Sequence, residues 1–174
     1  PIAHAANAGG AWRLHGLEEH LRAVSDLASG FASPFQSGPW ASLAGLWHDI
    51  GKFVPGVRKA KEDKLGEFSF KGHEIGSVEW LKRNGPDFDE DDLLLITSHG
   101  IIRGDSSVKD IVSLCKGDSK LLKKLVLLCA ADISGKGFTL AQKEQRERLA
   151  PKFEELADEA GLERSLVGQI VRSW

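Results

Sequence analysis

The sequence contains no methionine, no tyrosine and only two cysteines. Cys115 and Cys129 lie apart in apolar surroundings, so a CxxC metal or redox motif is absent and we expect two buried, reduced thiols. No apolar run approaches the ~20 residues of a membrane span, and the N-terminal residues lack the basic and apolar segments of a signal peptide. These absences favour a cytoplasmic protein that makes no contact with a membrane.

A strong charge of one sign is also lacking. The 23 basic and 25 acidic residues give a formal net charge of −2, which excludes a basic nucleic-acid clamp over the whole surface but allows a local groove. Hydrophobic residues make up 41% and charged residues 28% of the chain, as in ordinary globular proteins. We therefore expect residues 1–174 to form a single compact domain with one continuous core.

Apolar residues recur at steps of three and four through most of the chain, a spacing that predicts amphipathic helices. The expected helices cover about residues 16–31, 38–49, 72–84, 93–99, 107–116, 120–133, 139–160 and 163–173. Pro151 is expected to interrupt the seventh, and a short helix near 56–63 is expected in the charged connection 52–71. Because no convincing strand pattern is present, the sequence predicts an all-α helical bundle.

Most of the histidines, together with two aspartates, fall at the ends of the predicted helices or on their apolar faces. An ionised Asp132 would be costly to bury after the apolar run 125–131 unless it were paired or bound to a metal. The candidate ligands are His20, His48, Asp49, His73, His99 and Asp132. Imidazole and carboxylate without thiolate suit manganese, iron, cobalt, nickel, zinc or magnesium. His4 and His15 are interpreted as ordinary core or surface histidines.

The adjacent pair His48 and Asp49 sets a geometric condition. Their side chains point about 100° apart on an ideal helix, so both can hold one ion only at a helix end, which Gly51 would provide. Asp49 has two carboxylate oxygens and can therefore bridge two ions. Two ions about 3.5 to 4 Å apart would activate a water molecule and neutralise charge on a phosphoryl group. The pattern predicts one or two divalent ions and phosphoester hydrolysis.

The order of these motifs resembles the HD phosphohydrolase superfamily across most of the chain. The resemblance rests on His20 and on residues 46–52, 72–74, 98–100 and 131–132. The opening of the chain is similar in particular to the HD nuclease domain that accompanies the CRISPR type I effector helicase, through residues 3–7, 17–21, 31–35 and 40–46. This resemblance implies an HD-type helical bundle, with a metal-binding core at about 16–134 and C-terminal helices at about 139–174, that cuts single-stranded DNA, or RNA, in antiviral defence.

The family's pattern also implies residue roles. The first metal would be held by His20, His48, Asp49 and Asp132, and the second by Asp49, His73 and His99. Asp49 and Lys52 would be the catalytic residues, and Lys52 would lie at the rim, near phosphate. Ser98 stands where this nuclease family usually has a histidine, so the second site is short of one ligand.

The connection between Lys52 and Lys71 has six basic and three acidic residues and follows the His48-Asp49 pair directly. Candidate contacts to a nucleic-acid backbone are Lys52, Arg58, Lys59 and Lys61, with a solvated loop as the equally good interpretation. Residues 134–137 lack the first glycine and the final serine or threonine of a phosphate-binding loop. A helicase partner would therefore be a separate subunit or a fused domain outside this sequence.

Two other functions stay open. Residues 68–77 and 130–135 are more similar to the HD domain attached to bacterial tRNA nucleotidyltransferases. That similarity would imply a phosphatase or phosphodiesterase acting on nucleotides or cyclic phosphates. The third interpretation is an HD domain that holds metal but only docks to a larger complex.

Overall fold

The computed structural model describes residues 1–8, 10–53, 59–62, 67–136 and 142–174. Helices dominate it, which confirms the predicted all-α class. They are α1 (Leu17–Ala32), α2 (Gly38–Trp47), α3 (His73–Asn84), α4 (Glu90–Ser98), α5 (Val108–Leu114), α6 (Ser119–Ser134), α7 (Gln142–Glu159) and α8 (Arg164–Ser173). Short 3₁₀ turns cover Ser33–Phe35, Ile50–Phe53 and Ile101–Arg103. Within the described residues, no helix is both long enough and apolar enough to cross a membrane.

Helix α6 is the centre of the core. Asp118 caps its first turn by accepting hydrogen bonds from the amides of Lys120 and Leu121, at 2.8 and 3.2 Å. Every residue from 125 to 133 is buried, and α1, α2, α4, α7 and α8 all pack against this helix. A helix that is apolar on all sides is stable only when neighbours surround it. The prediction that α6 is the central core helix is confirmed.

Both cysteines are buried and free, as predicted. Burial is the main cause that raises the pKa of the Cys115 thiol, and burial together with Asp132 raises the pKa of Cys129 to about 12. Thiols with raised pKa values are poor nucleophiles and poor metal ligands at neutral pH. Neither cysteine is therefore a candidate nucleophile or metal ligand.

The structure also contains a small antiparallel sheet that the sequence did not predict. Its strands are β1 (Ile2–Ala8), β2 (Ala11–Gly16), β3 (Lys59–Glu62) and β4 (Glu67–Lys71), in the order β2-β1-β4-β3. The expected short helix near 56–63 is wrong, since β3 occupies 59–62. Strand pairing supplies the backbone hydrogen bonds here, and β1 and β4, which join the two hairpins, lie far apart in the sequence, so local periodicity did not predict the sheet.

The β1–β2 hairpin is connected directly to helix α1. In the ladder His4 lies opposite His15, and the amide of Leu17 donates a 3.0 Å hydrogen bond to the carbonyl of Pro1. The start of β1 is thereby tied to the first turn of α1. This connection brings the hairpin beside the residues at the start of that helix.

Helix α7 continues through Pro151, so the expected interruption there is wrong. A proline inside a helix removes one backbone hydrogen bond and costs roughly 3 kcal/mol. Leu149, Phe153 and Leu156 are at most 2% exposed, and the ring of Phe153 packs 5.0 Å from that of Trp174. Burial of these side chains on both sides of Pro151 offsets the lost hydrogen bond and keeps the helix continuous.

Candidate metal centre

His48 and Asp49 lie where helix α2 gives way to the 3₁₀ turn Ile50–Phe53, and both side chains are fully buried. The turn packs directly on the backbone of α3. A Cβ atom at Gly51 would lie 2.0 Å from the carbonyl oxygen of His73 and 2.5 Å from the amide nitrogen of Ser77. The Gly51 amide donates a 2.8 Å hydrogen bond to Ser77 Oγ. Glycine is therefore required for close contact between the turn and α3.

Four of the predicted ligands form a first group. His20 comes from α1, His48 and Asp49 from the end of α2, and Asp132 from α6, and each is at most 1% exposed. His20 Nε2 lies 3.1 Å from Asp49 Oδ2 and 3.2 Å from Asp132 Oδ1. His48 Nε2 lies 3.5 and 3.4 Å from the same two oxygens. Four ligand atoms from three helices thus surround one point.

A second group shares Asp49 with the first. Asp49 Oδ1 lies 3.0 Å from His73 Nε2 and 3.3 Å from His99 Nε2, and the two imidazole nitrogens are 3.3 Å apart. Asp49 therefore presents one oxygen to each group, which is the arrangement of a bridging carboxylate. The structure brings together all six predicted ligands, and these two groups could each hold a divalent metal ion.

The four histidines are oriented in the same way. Each has its Nδ1 against a backbone carbonyl, and because a carbonyl only accepts, Nδ1 carries a proton and Nε2 is the nitrogen left for a metal. The carbonyl partners are Gly135 for His20 (3.1 Å), Gly45 for His48 (2.7 Å), Phe70 for His73 and Ile96 for His99 (2.6 Å). Such second contacts fix the tautomer of histidines that bind metals.

Several atoms of the two groups are buried without a hydrogen-bond partner among the described residues. They are His20 Nε2, His48 Nε2, Asp49 Oδ1 and Asp132 Oδ1. Their mutual contacts lack hydrogen-bond geometry, although the distances are short. Buried polar atoms are normally hydrogen-bonded, and an unpartnered one is costly. These atoms are also the metal-binding atoms of their side chains, so the residues present match a divalent ion.

The charges in the pocket compensate one another. Burial acts to raise the pKa of Asp49, but the nearby Lys52 and the histidines outweigh it and hold the pKa well below its usual range. Burial acts to lower the pKa of His48, but Asp49 and Asp132 outweigh it and raise the pKa to about 9. Both carboxylates are thus ionised and carry the charge that attracts a cation.

Lys52 does not lie at the rim, where the family resemblance placed it. Its side chain is 6% exposed, and its ammonium donates a 2.5 Å hydrogen bond to Asp49 Oδ2. A buried carboxylate beside a second carboxylate needs positive charge close by, and Lys52 supplies it. Of the other predicted nucleic-acid contacts, Arg58 lies outside the described residues. Lys59 and Lys61 are in β3, and their side chains lie outside the described part.

Arg103 is a residue of this centre that sequence reasoning missed. Its guanidinium donates to Asp132 Oδ2, which leaves Oδ1 facing His20 and His48. Burial acts to raise the pKa of Asp132, but Arg103 together with His20 and His48 outweighs it and holds the pKa well below its usual range. A local signal existed, since Arg103 follows His99 by one turn and comes directly after Ile101 and Ile102. Its partner, however, is 29 residues away.

His4 and His15 also lie at the centre, although both were interpreted as ordinary histidines. They are 8% and 5% exposed and pack against His20, with ring centroids 4.6 and 5.5 Å away. The sequence could not indicate this, because the hairpin that carries them was not predicted. The structure thus places all six histidines of the chain in one continuous cluster.

Comparison with known protein families agrees with this geometry. The family model described as HD domain matches residues 17–134, the segment that supplies both groups of candidate ligands. No curated protein and no solved structure matches the chain.

Proposed function

The chain belongs to the HD domain family, whose members are typically metal-dependent phosphohydrolases, and we propose that it is a nuclease that hydrolyses phosphodiester bonds of single-stranded DNA. The observation that carries the proposal is the position of Asp49, with one oxygen toward His20 and His48 and the other toward His73 and His99. Two adjoining cation sites that share a carboxylate are the arrangement used to cleave phosphoesters.

The metal would be held by His20, His48, Asp49 and Asp132 at the first site, and by Asp49, His73 and His99 at the second. When bound, divalent ions supply Lewis acidity toward a phosphoryl group and toward water. The protein supplies fixed imidazole tautomers and two ionised carboxylates. Lys52 is proposed to be catalytic because its ammonium lies at Asp49, where it can donate to a phosphate oxygen.

The choice of a single-stranded substrate is supported by the charged connection that follows the centre. Of its candidate contacts, Lys59 and Lys61 lie in β3. This strand pairs with β4, and β4 pairs with β1 of the hairpin that carries His4 and His15. The similarity of the opening segments to the CRISPR-associated HD nuclease supports a role in antiviral defence. A helicase, as a separate subunit or a fused domain, is the partner that would supply single strands.

The test is cleavage by metal-stripped protein resupplied with manganese, cobalt, nickel, iron, zinc or magnesium. We expect single-stranded DNA to be cut with at least one of these ions, and Asp49→Ala to reduce cleavage to background because Asp49 faces both sites. His99→Ala should lower cleavage but keep one ion per chain, since the metal-binding Nε2 of His99 faces His73 and Asp49 Oδ1, which belong to the second group.

Asp26→Ala, an exposed position on α1, is the matched control and should cleave normally. Cleavage retained by folded Asp49→Ala would contradict the mechanism. Hydrolysis of nucleoside monophosphates or cyclic phosphates, with intact single-stranded DNA, would favour the phosphatase or phosphodiesterase function instead. Bound metal with no turnover on any of these substrates would indicate a docking module.

A further inference from the structure

We propose that His4, His15 and His20 form an additional, all-histidine Zn²⁺ site that competes with the first site for His20. Its effect on activity rests on the proposed function, but the binding site itself does not. One nitrogen from each of the three side chains lies within 4.8 Å of the other two. The rings of His4 and His15 are stacked 5.9 Å apart, and that of His20 meets both edge-on.

The backbone holds this cluster in place. His4 and His15 are directly paired across the β1–β2 ladder, so their side chains lie on the same face of the hairpin. His20 lies in the first turns of α1, which the Leu17–Pro1 hydrogen bond ties to the start of β1. All three side chains are at most 8% exposed. The three imidazoles are therefore positioned by secondary structure and packing before any ligand binds.

The ring nitrogens of His4 and His15 are placed to bind an ion together with His20. His4 Nε2 is buried and has no hydrogen-bond partner in the part of the chain that the structure describes. Glu19 Oε2 lies 3.8 Å from His15 Nε2. That distance is longer than a hydrogen bond, and His15 belongs with His4 and His20 to one group of imidazoles that could hold an ion.

His20 can serve only one ion at a time. Its Nδ1 donates to the carbonyl of Gly135, so its only lone pair is on Nε2, and that atom already faces Asp49 and Asp132. An ion held with His4 and His15 therefore takes a ligand away from the first site. The two positions are alternatives that share one imidazole.

The ligand chemistry decides which ion goes to which position. Three imidazoles without a carboxylate suit Zn²⁺, which accepts three histidines and a water in tetrahedral geometry. The first site offers two carboxylates, which suit Mn²⁺ and Mg²⁺ better. Lys52 acts on His4 and His15 as a positive charge, but its ion pair with Asp49 compensates that charge. Zn²⁺ should therefore bind at the histidine cluster and inhibit an enzyme that Mn²⁺ activates.

Binding can be tested without any assay of activity. Metal-stripped wild type, His4→Gln and His15→Gln are titrated with Zn²⁺ and, separately, Mn²⁺ against a chromophoric chelator. We expect each variant to bind Zn²⁺ at least about tenfold more weakly, with unchanged Mn²⁺ affinity. Leu14→Ala, an exposed neighbour on β2, is the control and should match wild type. Equal Zn²⁺ affinity in wild type and both variants would overturn the proposal.

Two further measurements keep the test decisive. X-ray absorption of wild type with one Zn²⁺ should show three imidazole nitrogens, whereas carboxylate oxygens among the ligands would overturn the proposal even if a variant failed to fold. In the cleavage assay, Zn²⁺ added to the Mn²⁺ form should inhibit wild type at concentrations at least about tenfold lower than the variants. If no ion supports cleavage, the proposed function fails while the binding and absorption results still decide the histidine site.

Discussion

At the scale of single residues, the side chains that orient the ligands matter as much as the ligands. Asp132 has one oxygen held by Arg103 and the other directed at His20 and His48. The carbonyl of Gly135 fixes His20 in the same way. Partners of this kind set the direction and the proton position of a ligand, and their loss typically lowers metal affinity 10- to 100-fold.

Arg103→Ala should therefore weaken metal binding at the first site by about 10- to 100-fold, because Asp132 would lose its partner and could rotate. Arg103→Lys should recover part of that loss, since it keeps the charge but not the planar pair of donors. Metal affinity measured by calorimetry on stripped protein checks both. Arg22→Ala, an exposed arginine on α1 paired with Glu18, is the control. Arg103→Ala with wild-type metal affinity would show that Arg103 does not position Asp132.

At the scale of elements, the centre depends on how closely the turn after α2 packs on α3. Backbone atoms of His73 and Ser77 would lie 2.0 and 2.5 Å from a Cβ at Gly51. These atoms belong to the first turns of α3 and cannot move aside as a flexible side chain could. His73, which faces Asp49, is carried by the same turn of α3.

Gly51→Ala should destabilise the protein by about 3 kcal/mol, at the upper end of the usual range for overpacking, because the turn and α3 must separate. It should also weaken the second site, since His73 moves with α3. Gly104→Ala is the matched control: its Cβ would lie 3.5 Å from the nearest atom, the carbonyl oxygen of Ile101. Urea denaturation and metal titration of both variants check the prediction. A Gly51→Ala protein as stable as Gly104→Ala would contradict the packing argument.

At the scale of the whole molecule, the centre joins elements that are far apart in the sequence. Its ligands come from α1, the end of α2, α3, the end of α4 and α6. An ion at the first site would link α6 to α1 and the end of α2, and one at the second site would link the end of α2 to α3 and the end of α4. Binding to the folded protein alone stabilises it, by about 2.7 kcal/mol at a free concentration of 100 times Kd.

We therefore expect metal to raise the melting temperature in two stages. The first site has four ligand residues, whereas the second has three and a serine, Ser98, where the similar nucleases usually have a histidine. The first Mn²⁺ should raise the melting temperature by about 5 to 10 °C at saturation, and cleavage should keep rising as more ion is added. Titration of stripped protein that follows stoichiometry, melting and cleavage together checks this. Two equally tight ions per chain would refute it, and full activity at one ion would make the second site unnecessary.

The sequence by itself determined the helical class and the candidate ligands. Periodic apolar residues predict helices because the α-helix repeats over a few neighbouring residues. The apolar run before Asp132 identified both the core helix and its anomalous carboxylate for the same local reason. The spacing of His48, Asp49 and Gly51 pointed to a helix end that could present two ligands.

Only the tertiary structure decided the sheet, the cluster of His4 and His15 with His20, the burial of Lys52 and the pairing of Arg103 with Asp132. Each depends on contacts between segments that are distant in the sequence or on a change of backbone direction. Neither can be detected from the local spacing of apolar residues. Strand β1, for example, gains its second partner from β4, more than 50 residues later. A buried charge is stable only beside an opposite charge, and that partner comes close only when the helices pack.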